Sequence, residues 1–331
     1  MSPTQPKKVV IMGGGTGIFP VISALKHLNT DITSVVTVSD SGGSTGRIRD
    51  EFGFQPVGDL RQSLAALAES EGQEWIKKIL LYRFERGTGL KGHNLGNLIL
   101  TALQDMTGNT TQALEIAEKV FRLDGKVIPV TQENVNLQIH FTDGTSAIGE
   151  HTLDAKTKQP KKIKDISLVP EADLNPQAII ALEEADLIII GPGDYYASLM
   201  AVLVAKGLAS AFKKTQAKVL YIVNLMTRLT QTQDMTAKDH VAGIEKAIGQ
   251  NVDFILVNNA AIDQPTLDLY AHESEYPVED DLTTDHRVIR QAIISDTLVH
   301  KSAVDTTHRS LLRHDSQKLE KVLRKMLADL G

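Results

Sequence analysis

Residues able to do chemistry gather in short runs that follow apolar segments. The first run, Met12-Gly13-Gly14-Gly15-Thr16-Gly17, follows KVVIM and precedes an amphipathic stretch. Glycine there permits positive φ and lets backbone N–H groups come close to an anion. A helix start behind the glycines adds partial positive charge. Gly14, Gly15, Thr16 and Gly17 are therefore candidates to hold the phosphates of a nucleotide-like ligand. The run departs from the dinucleotide fingerprint, because Ile18 stands where the third glycine of G-x-G-x-x-G belongs. It is not a Walker A loop either, since no Lys-Ser/Thr pair closes it. A tight βα turn with no ligand, and a dinucleotide-dependent oxidoreductase, remain the other readings of these glycines.

A second run, SDSGGSTGR, follows the apolar segment ITSVVTV. Asp40 stands where a Rossmann protein hydrogen-bonds a ribose. Ser41, Gly43 and Ser44 belong to a glycine-hydroxyl loop of the kind that makes an anion nest. Asp59, in VGDLR, reads either as a helix N-cap or as the partner of Asp40 in holding Mg²⁺, which takes few carboxylates plus phosphate oxygens. Gly42-Gly43-Ser44-Thr45-Gly46 also spells G-x-S-x-G, the nucleophile elbow of α/β-hydrolases. That fold needs a helix directly after the serine, and RIRDEFGFQP predicts none because Gly and Pro interrupt it.

Later runs repeat the arrangement. GHNLGN places Asn94 and Asn97 three residues apart, on one helical turn, where their amides can face one ligand or where Asn94 can cap the helix. Gly193, in GPGDYY, and Asn224, in NLMTR, each follow an apolar strand. Arg313 precedes Asp315, the expected cap of the last helix, and is a candidate to reach a phosphate or a carboxylate. His93 is a minor candidate base, and Tyr270 and Tyr276 are candidate stacking platforms for a base. No H-E-x-x-H pairing supports a zinc hydrolase.

The elements that must position these residues are those of an α/β fold. Short β-branched runs alternate with amphipathic stretches, which predicts a Rossmann-like, mostly parallel sheet flanked by helices. Strands are expected at Lys8–Met12, Ile32–Val38, Ala185–Ile190, Lys218–Val223 and Val252–Val257. Helices are expected at Thr16–His27, in pieces over Asp59–Phe121, and at Asp315–Leu330. Asp143-Gly144 between two alternating runs predicts a small β-hairpin insertion, with ISLVP as a further strand. The acidic, weakly patterned stretch Asp263–Asp285 reads as surface. No repeat or linker divides the 331 residues, so the expectation is a single domain over 1–331.

Composition narrows the function classes. With 42% apolar and 23% charged residues the chain can bury a sizeable core and stay dissolved. A net charge of −6 gives no global field for nucleic acid or anionic lipid, so an anionic ligand must be held by local donors. Cys is absent, which excludes disulfides, thiolate metal sites and a cysteine nucleophile. No apolar run is long enough for membrane insertion, and the expected compartment is the cytoplasm.

In combination, IMGGGTG, SDSGGSTGRIRDEFG, PVGDLRQSLAAL, GHNLGNLIL, VIPVT, IIGPGDYYASL, YIVNLMT and RHD resemble the YvcK-type gluconeogenesis factors of the CofD-like family, related to 2-phospho-L-lactate transferase. The likeness spans Ile11 to Asp315 and implies one Rossmann-like domain that binds a nucleotide diphosphate at the ends of its parallel strands. For the YvcK type it implies UDP-sugar binding, with links to gluconeogenic carbon metabolism, cell-wall precursor supply and cell shape, and no assigned reaction. For the transferase branch it implies Mg²⁺-dependent transfer, with metal-holding acids that match Asp40 and Asp59. Ser41 stands where many relatives carry a second Asp, which weakens the transfer reading. The expected role is a nucleotide-sugar-binding regulator rather than an enzyme. A nucleotide sugar is its expected partner, Mg²⁺ and a second copy of the chain being further partners the resemblance allows.

Overall fold

A computed structural model describes residues 5–68, 72–154, 160–299 and 310–330. Its strands are β1 (Lys7–Gly13), β2 (Thr30–Val36), β3 (Lys126–Pro129), β4 (Asn136–Phe141), β5 (Ser146–Ile148), β6 (Ile163–Val169), β7 (Leu187–Ile190), β8 (Lys218–Ile222), β9 (Phe254–Asn258) and β10 (Val288–Gln291). Seven of them form one sheet in the order β10-β9-β8-β7-β1-β2-β3, with every pairing parallel. The remaining three form an antiparallel sheet, β5-β4-β6. This is the expected Rossmann-like architecture with its hairpin insertion, extended by β6.

Central strands are apolar on both faces because helices cover both. All of LIII in β7 is buried, as is KVLYI in β8 after its first residue, the pattern that parallel sheets require. The helix Gly58–Leu67 is buried from Leu60 through Leu67, with the helices Phe19–Leu25 and Glu74–Leu81 packed against it. The helix Ser316–Asp329 closes over Phe19–Leu25 and buries Leu319, Leu323, Met326 and Leu327.

Several expectations are corrected. The run after Asp40 is not an extended loop, because a helix spans Gly43–Phe52. Gly53 does not interrupt that helix but ends it, as a left-handed cap with φ of 74° that donates to the Arg49 carbonyl. The stretch Asp263–Asp285 is not surface throughout. It contains the helix Gln264–Ala271, with Asp263 accepting from the Thr266 amide, and Tyr270 packs in a small core with Met226, Ile294 and Leu312. Strands β3 and β10 are short edge strands outside the expected set.

Helix Thr110–Phe121 is joined to β3 through Glu118, which accepts from the Val127 amide at 2.7 Å. Burial raises the Glu118 carboxyl from 4.5 to about 7. The folded state therefore holds this proton more tightly than the unfolded chain. The resulting stability is complete below about 4.5 and is lost as pH rises through about 7. Glu118→Gln keeps the acceptor and removes the titration. We expect the variant to gain in denaturant midpoint relative to the parent at pH 8 and not at pH 4. An equal difference at both pH values would sink this assignment.

Candidate functional site

The chain leaves β1 for β2 on one side, and β7 pairs with β1 on the other. Strand order reverses there, and open α/β sheets hold their ligands in the crevice outside the strand ends at such a point. A cavity of about 180 Å³ lies at this place. Its wall includes Gly14, Gly15, Thr16 and Gly17 from the β1 exit, Asp40 and Ser44 from the β2 exit, Gly193 and Asp194 from the β7 exit, and Asn224 from the β8 exit.

Glycine at Gly14, Gly15 and Gly17 is required by close approach. A Cβ on Gly17 would lie 2.4 Å from the Pro192 carbonyl oxygen and 2.5 Å from Gly193 Cα. A Cβ on Gly14 would lie 2.6 Å from Asp59 Oδ2, and one on Gly15, where φ is +58°, 2.9 Å from Asp59 Oδ1. Asp59 is thus pressed against the first glycine run. Asp40 lies beside it in space, since a Cβ on Gly58 would meet Asp40 Oδ2 at 2.6 Å. Asp40 also accepts from the Gly42 amide at 2.8 Å, which shapes the entry to the helix Gly43–Phe52. That helix has no side-chain cap and no acid in its first turn, so its first N–H groups have no intrahelical partner.

The expected residues divide into those that line the crevice and those behind it. Asp59 and Arg313 line it with the residues above, as does Asn97. Asn97 is also a brace: its Oδ1 accepts from Arg61 Nε at 2.7 Å, and its Nδ2 reaches Thr45 Oγ1 at 3.4 Å and Ser44 Oγ at 3.5 Å. Asn94 and Ser41 stand outside the lining. Asn94 caps the helix Leu95–Thr107 by accepting from the Asn97 amide. Ser41 accepts from the His151 amide at 3.1 Å and meets His151 Nδ1 at 3.1 Å, which ties the β2 exit to the segment after β5. Gly43 opens its helix.

A helix does follow Ser44, so the elbow reading fails on a different ground. Strand β2 ends at Val36, and Ser44 lies in the first turn of the helix rather than on a sharp strand-to-helix turn. Its Oγ lies 3.2 Å from His93 Nδ1. Burial, then the Arg47 charge, lowers the His93 pKa, which favours the neutral ring. Tyr270 is no stacking platform: it is 5% exposed, and its hydroxyl accepts from the Leu312 amide at 2.8 Å.

Sequence reasoning missed Arg61, Arg83, Glu150, Arg228, Glu275 and His314, all in the wall. Arg228 and Glu275 are buried together, with Nε–Oε1 at 3.6 Å, and Asp194 Oδ1 stands 3.8 Å from Arg228 Nη1. Burial pushes the Glu275 carboxyl up to about 7 against the pull of Arg228. Arg228 closes the NLMTR run and was within reach of the strand-end argument. Glu275 carried no signal, lying in the stretch taken for surface.

Asp40 and Asp59 on one wall form a donor set suited to Mg²⁺, which keeps most of its shell for water and phosphate oxygens. Among the described residues no group of three or more His, Asp or Glu side chains forms a site for a metal held by protein alone. Nor is any helix among them long and apolar enough to cross a membrane.

A parallel sheet whose strand order reverses at a polar crevice defines a doubly wound α/β protein. The chain belongs to the CofD family: residues 9–299 match the family model described as 2-phospho-L-lactate transferase CofD. It is similar to the gluconeogenesis factor of Bacillus subtilis, 37% identical over 327 residues, which cover 98% of this chain and 99% of that protein. The gluconeogenesis factor of Halalkalibacterium halodurans is 36% identical over 324 residues, 96% of each chain. A crystal structure of a UPF0052 family protein from Bacillus halodurans superposes with a TM-score of 0.86 at 33% identity, covering 97% of this chain and 99% of that one.

Proposed function

We propose that this protein binds a nucleotide-diphosphate sugar, with UDP-sugars as the class, in the switch-point crevice. It acts as a regulator of the gluconeogenesis-factor type in the cytoplasm, serving carbon metabolism, cell-wall precursor supply and cell shape. The observation that carries the reading is the convergence on one corner of the Gly14–Gly17 backbone and the uncapped start of the helix Gly43–Phe52. Backbone donors and a helix N-terminus together favour a phosphate group. In this reading Asp40 and Ser44 line the diphosphate corner, Gly193, Asn224 and Arg313 complete the wall, and Asn94, Asn97, Ser41 and Gly43 hold the loops that shape it.

The two carboxylates bear on the same corner. Asp40 and Asp59 would repel a bare diphosphate, and a divalent cation between carboxylates and phosphates removes that repulsion. This favours Mg²⁺ as co-ligand and supports a second reading, Mg²⁺-dependent group transfer, in which the ion would offset charge on a leaving nucleotide. Calorimetry with UDP-N-acetylglucosamine, with Mg²⁺ and with EDTA, tests both. We expect binding that weakens in EDTA and is lost in Gly15→Asp. That variant adds a third carboxylate, at a residue whose φ is +58°. Full-strength binding by Gly15→Asp would remove the crevice from consideration. Turnover of a nucleotide-activated donor that disappears in Asp59→Asn would favour transfer over regulation.

A further inference from the structure

Two guanidinium groups meet at Gly92. Arg83, part of the crevice wall, donates Nη1 to the Gly92 carbonyl at 2.9 Å. Arg47 approaches the same residue from the helix Gly43–Phe52, since a Cβ on Gly92 would lie 3.3 Å from its Nη2. The segment that carries Arg83 and Gly92 is held in one shape by its own backbone. Phe84 donates to the His93 carbonyl at 2.9 Å, Gly92 to the Phe84 carbonyl at 2.8 Å, and Leu95 to the Tyr82 carbonyl at 2.8 Å. Arg47 is exposed, and Arg83 is half-buried with part of its surface facing the cavity. A guanidinium carries five N–H donors and serves several acceptors at once. Acids stand nearby as well, Glu51 one turn after Arg47 and Glu150 beside the His151 that bonds Ser41. The arginines therefore offer a ligand geometry rather than excess charge: planar forks that pair a carboxylate two-pronged.

Position separates the pair from the diphosphate corner. Ser44 lies at the helix start assigned to the diphosphate, and its Oγ is 3.2 Å from His93 Nδ1. Arg47 follows three residues later, about 4.5 Å further along the axis and on the same face. There it meets Gly92, the neighbour of His93. That step is comparable to the breadth of a pyranose ring. The nucleoside of a nucleotide sugar bears no charge beyond its diphosphate, so an anion that faces the arginines belongs to the sugar.

We propose that Arg47 and Arg83 form a carboxylate-binding pair at the edge of the crevice, and that the nucleotide sugar selected there carries a carboxylate on its sugar. This rests on the nucleotide-sugar reading above and names the class of sugar. A chain of net charge −6, with Asp40 and Asp59 in the same crevice, gives one more negative charge no general advantage. A preference for the carboxylate thus reports a local pairing. The carboxylate sits either on the ring, as in a uronate, or on an ether arm, as in a muramate, and the probes separate the two.

The experiment is calorimetry on the full chain with Mg²⁺ at fixed ionic strength. Its ligands are UDP and two matched pairs: UDP-glucose with UDP-glucuronate, and UDP-N-acetylglucosamine with UDP-N-acetylmuramate. The affinity ratio within a pair is the reading, because general damage to the crevice cancels in it. We expect the carboxylate member of at least one pair to bind about 10-fold more tightly, the worth of one charge-assisted hydrogen bond. In Arg47→Gln and in Arg83→Gln that preference should shrink to about twofold or less. Where Arg83→Gln does not fold, Arg47→Gln decides, since Arg47 is exposed. UDP binding with no preference in either pair overturns the carboxylate site and leaves the nucleotide reading intact. So does a preference that survives both substitutions, or a loss shared equally by both members of a pair, which would assign the arginines to the diphosphate. No binding of UDP or any UDP-sugar sinks both readings.

Discussion

Gly17→Ala is expected to weaken nucleotide binding by on the order of 100-fold, the value of two charge-assisted hydrogen bonds at about 1.5 kcal/mol each. The cause is steric and lies in backbone. The new methyl carbon would stand 2.4 Å from the Pro192 carbonyl oxygen and 2.5 Å from Gly193 Cα, neither of which is the end of a flexible side chain. The exits of β1 and β7 must separate, and the donors at Gly14–Gly17 move with them. Overpacking of this kind also lowers stability by about 1–3 kcal/mol. Gly89→Ala serves as control, since nothing lies within 4 Å of a Cβ there. Calorimetry beside chemical unfolding separates the two effects. Parent-like affinity in Gly17→Ala would mean that the two exits do not form the phosphate corner.

Arg61→Ala carries the largest expected stability loss, about 3–5 kcal/mol. Arg61 is 4% exposed and donates from Nε to Asn97 Oδ1 at 2.7 Å and from Nη1 to the Leu80 carbonyl at 3.1 Å. Its stem also packs on the backbone of the helix Leu95–Thr107, where a Cβ on Gly96 would meet Arg61 Cδ at 2.7 Å. Truncation leaves two buried acceptors unpaired and a gap between helices. Arg61→Lys should recover only a minor part, because one ammonium cannot serve both acceptors in the geometry of the guanidinium fork. The reading is the urea midpoint. A shift below about 0.5 kcal/mol for the alanine variant, the usual range of surface substitutions, would show that Arg61 is no keystone.

Arg61 also shows where the sequence was readable and where it was not. Strands such as LIII and KVLYI were legible because burial on both faces leaves an unbroken apolar run. The glycines at Gly14–Gly17 were legible because strand, glycine and helix signals met within a few residues. Helix Gly43–Phe52 was misread because Gly53 is a break or a stop depending on its register with the helix end, which only the three-dimensional chain fixes. The spacing of Asn94 and Asn97 offers both a shared ligand face and a helix cap; Asn94 takes the cap, and the placing of the Asn97 amide depends on Arg61, far away in sequence. Glu275 reaches the wall through tertiary packing alone, so no local pattern marks it, and His314 stands in the RHD run without a chemical signal of its own. Strands β3 and β10, four residues each at the sheet edges, are too short to carry a period.

The order of strands has a temporal consequence. Strand β1 is made first, yet it sits mid-sheet and pairs β7 in the register Val9↔Leu187, while the crevice wall runs from Gly14 to His314. Pairings of such long sequence separation are entropically slow to close. A nascent chain therefore emerges with its glycine run but without the opposite wall, which is complete only once the chain has been made as far as His314. In the nucleotide-sugar reading proposed above, a ligand would stabilise only chains made beyond that point, and by mass action it would select against every partly assembled one.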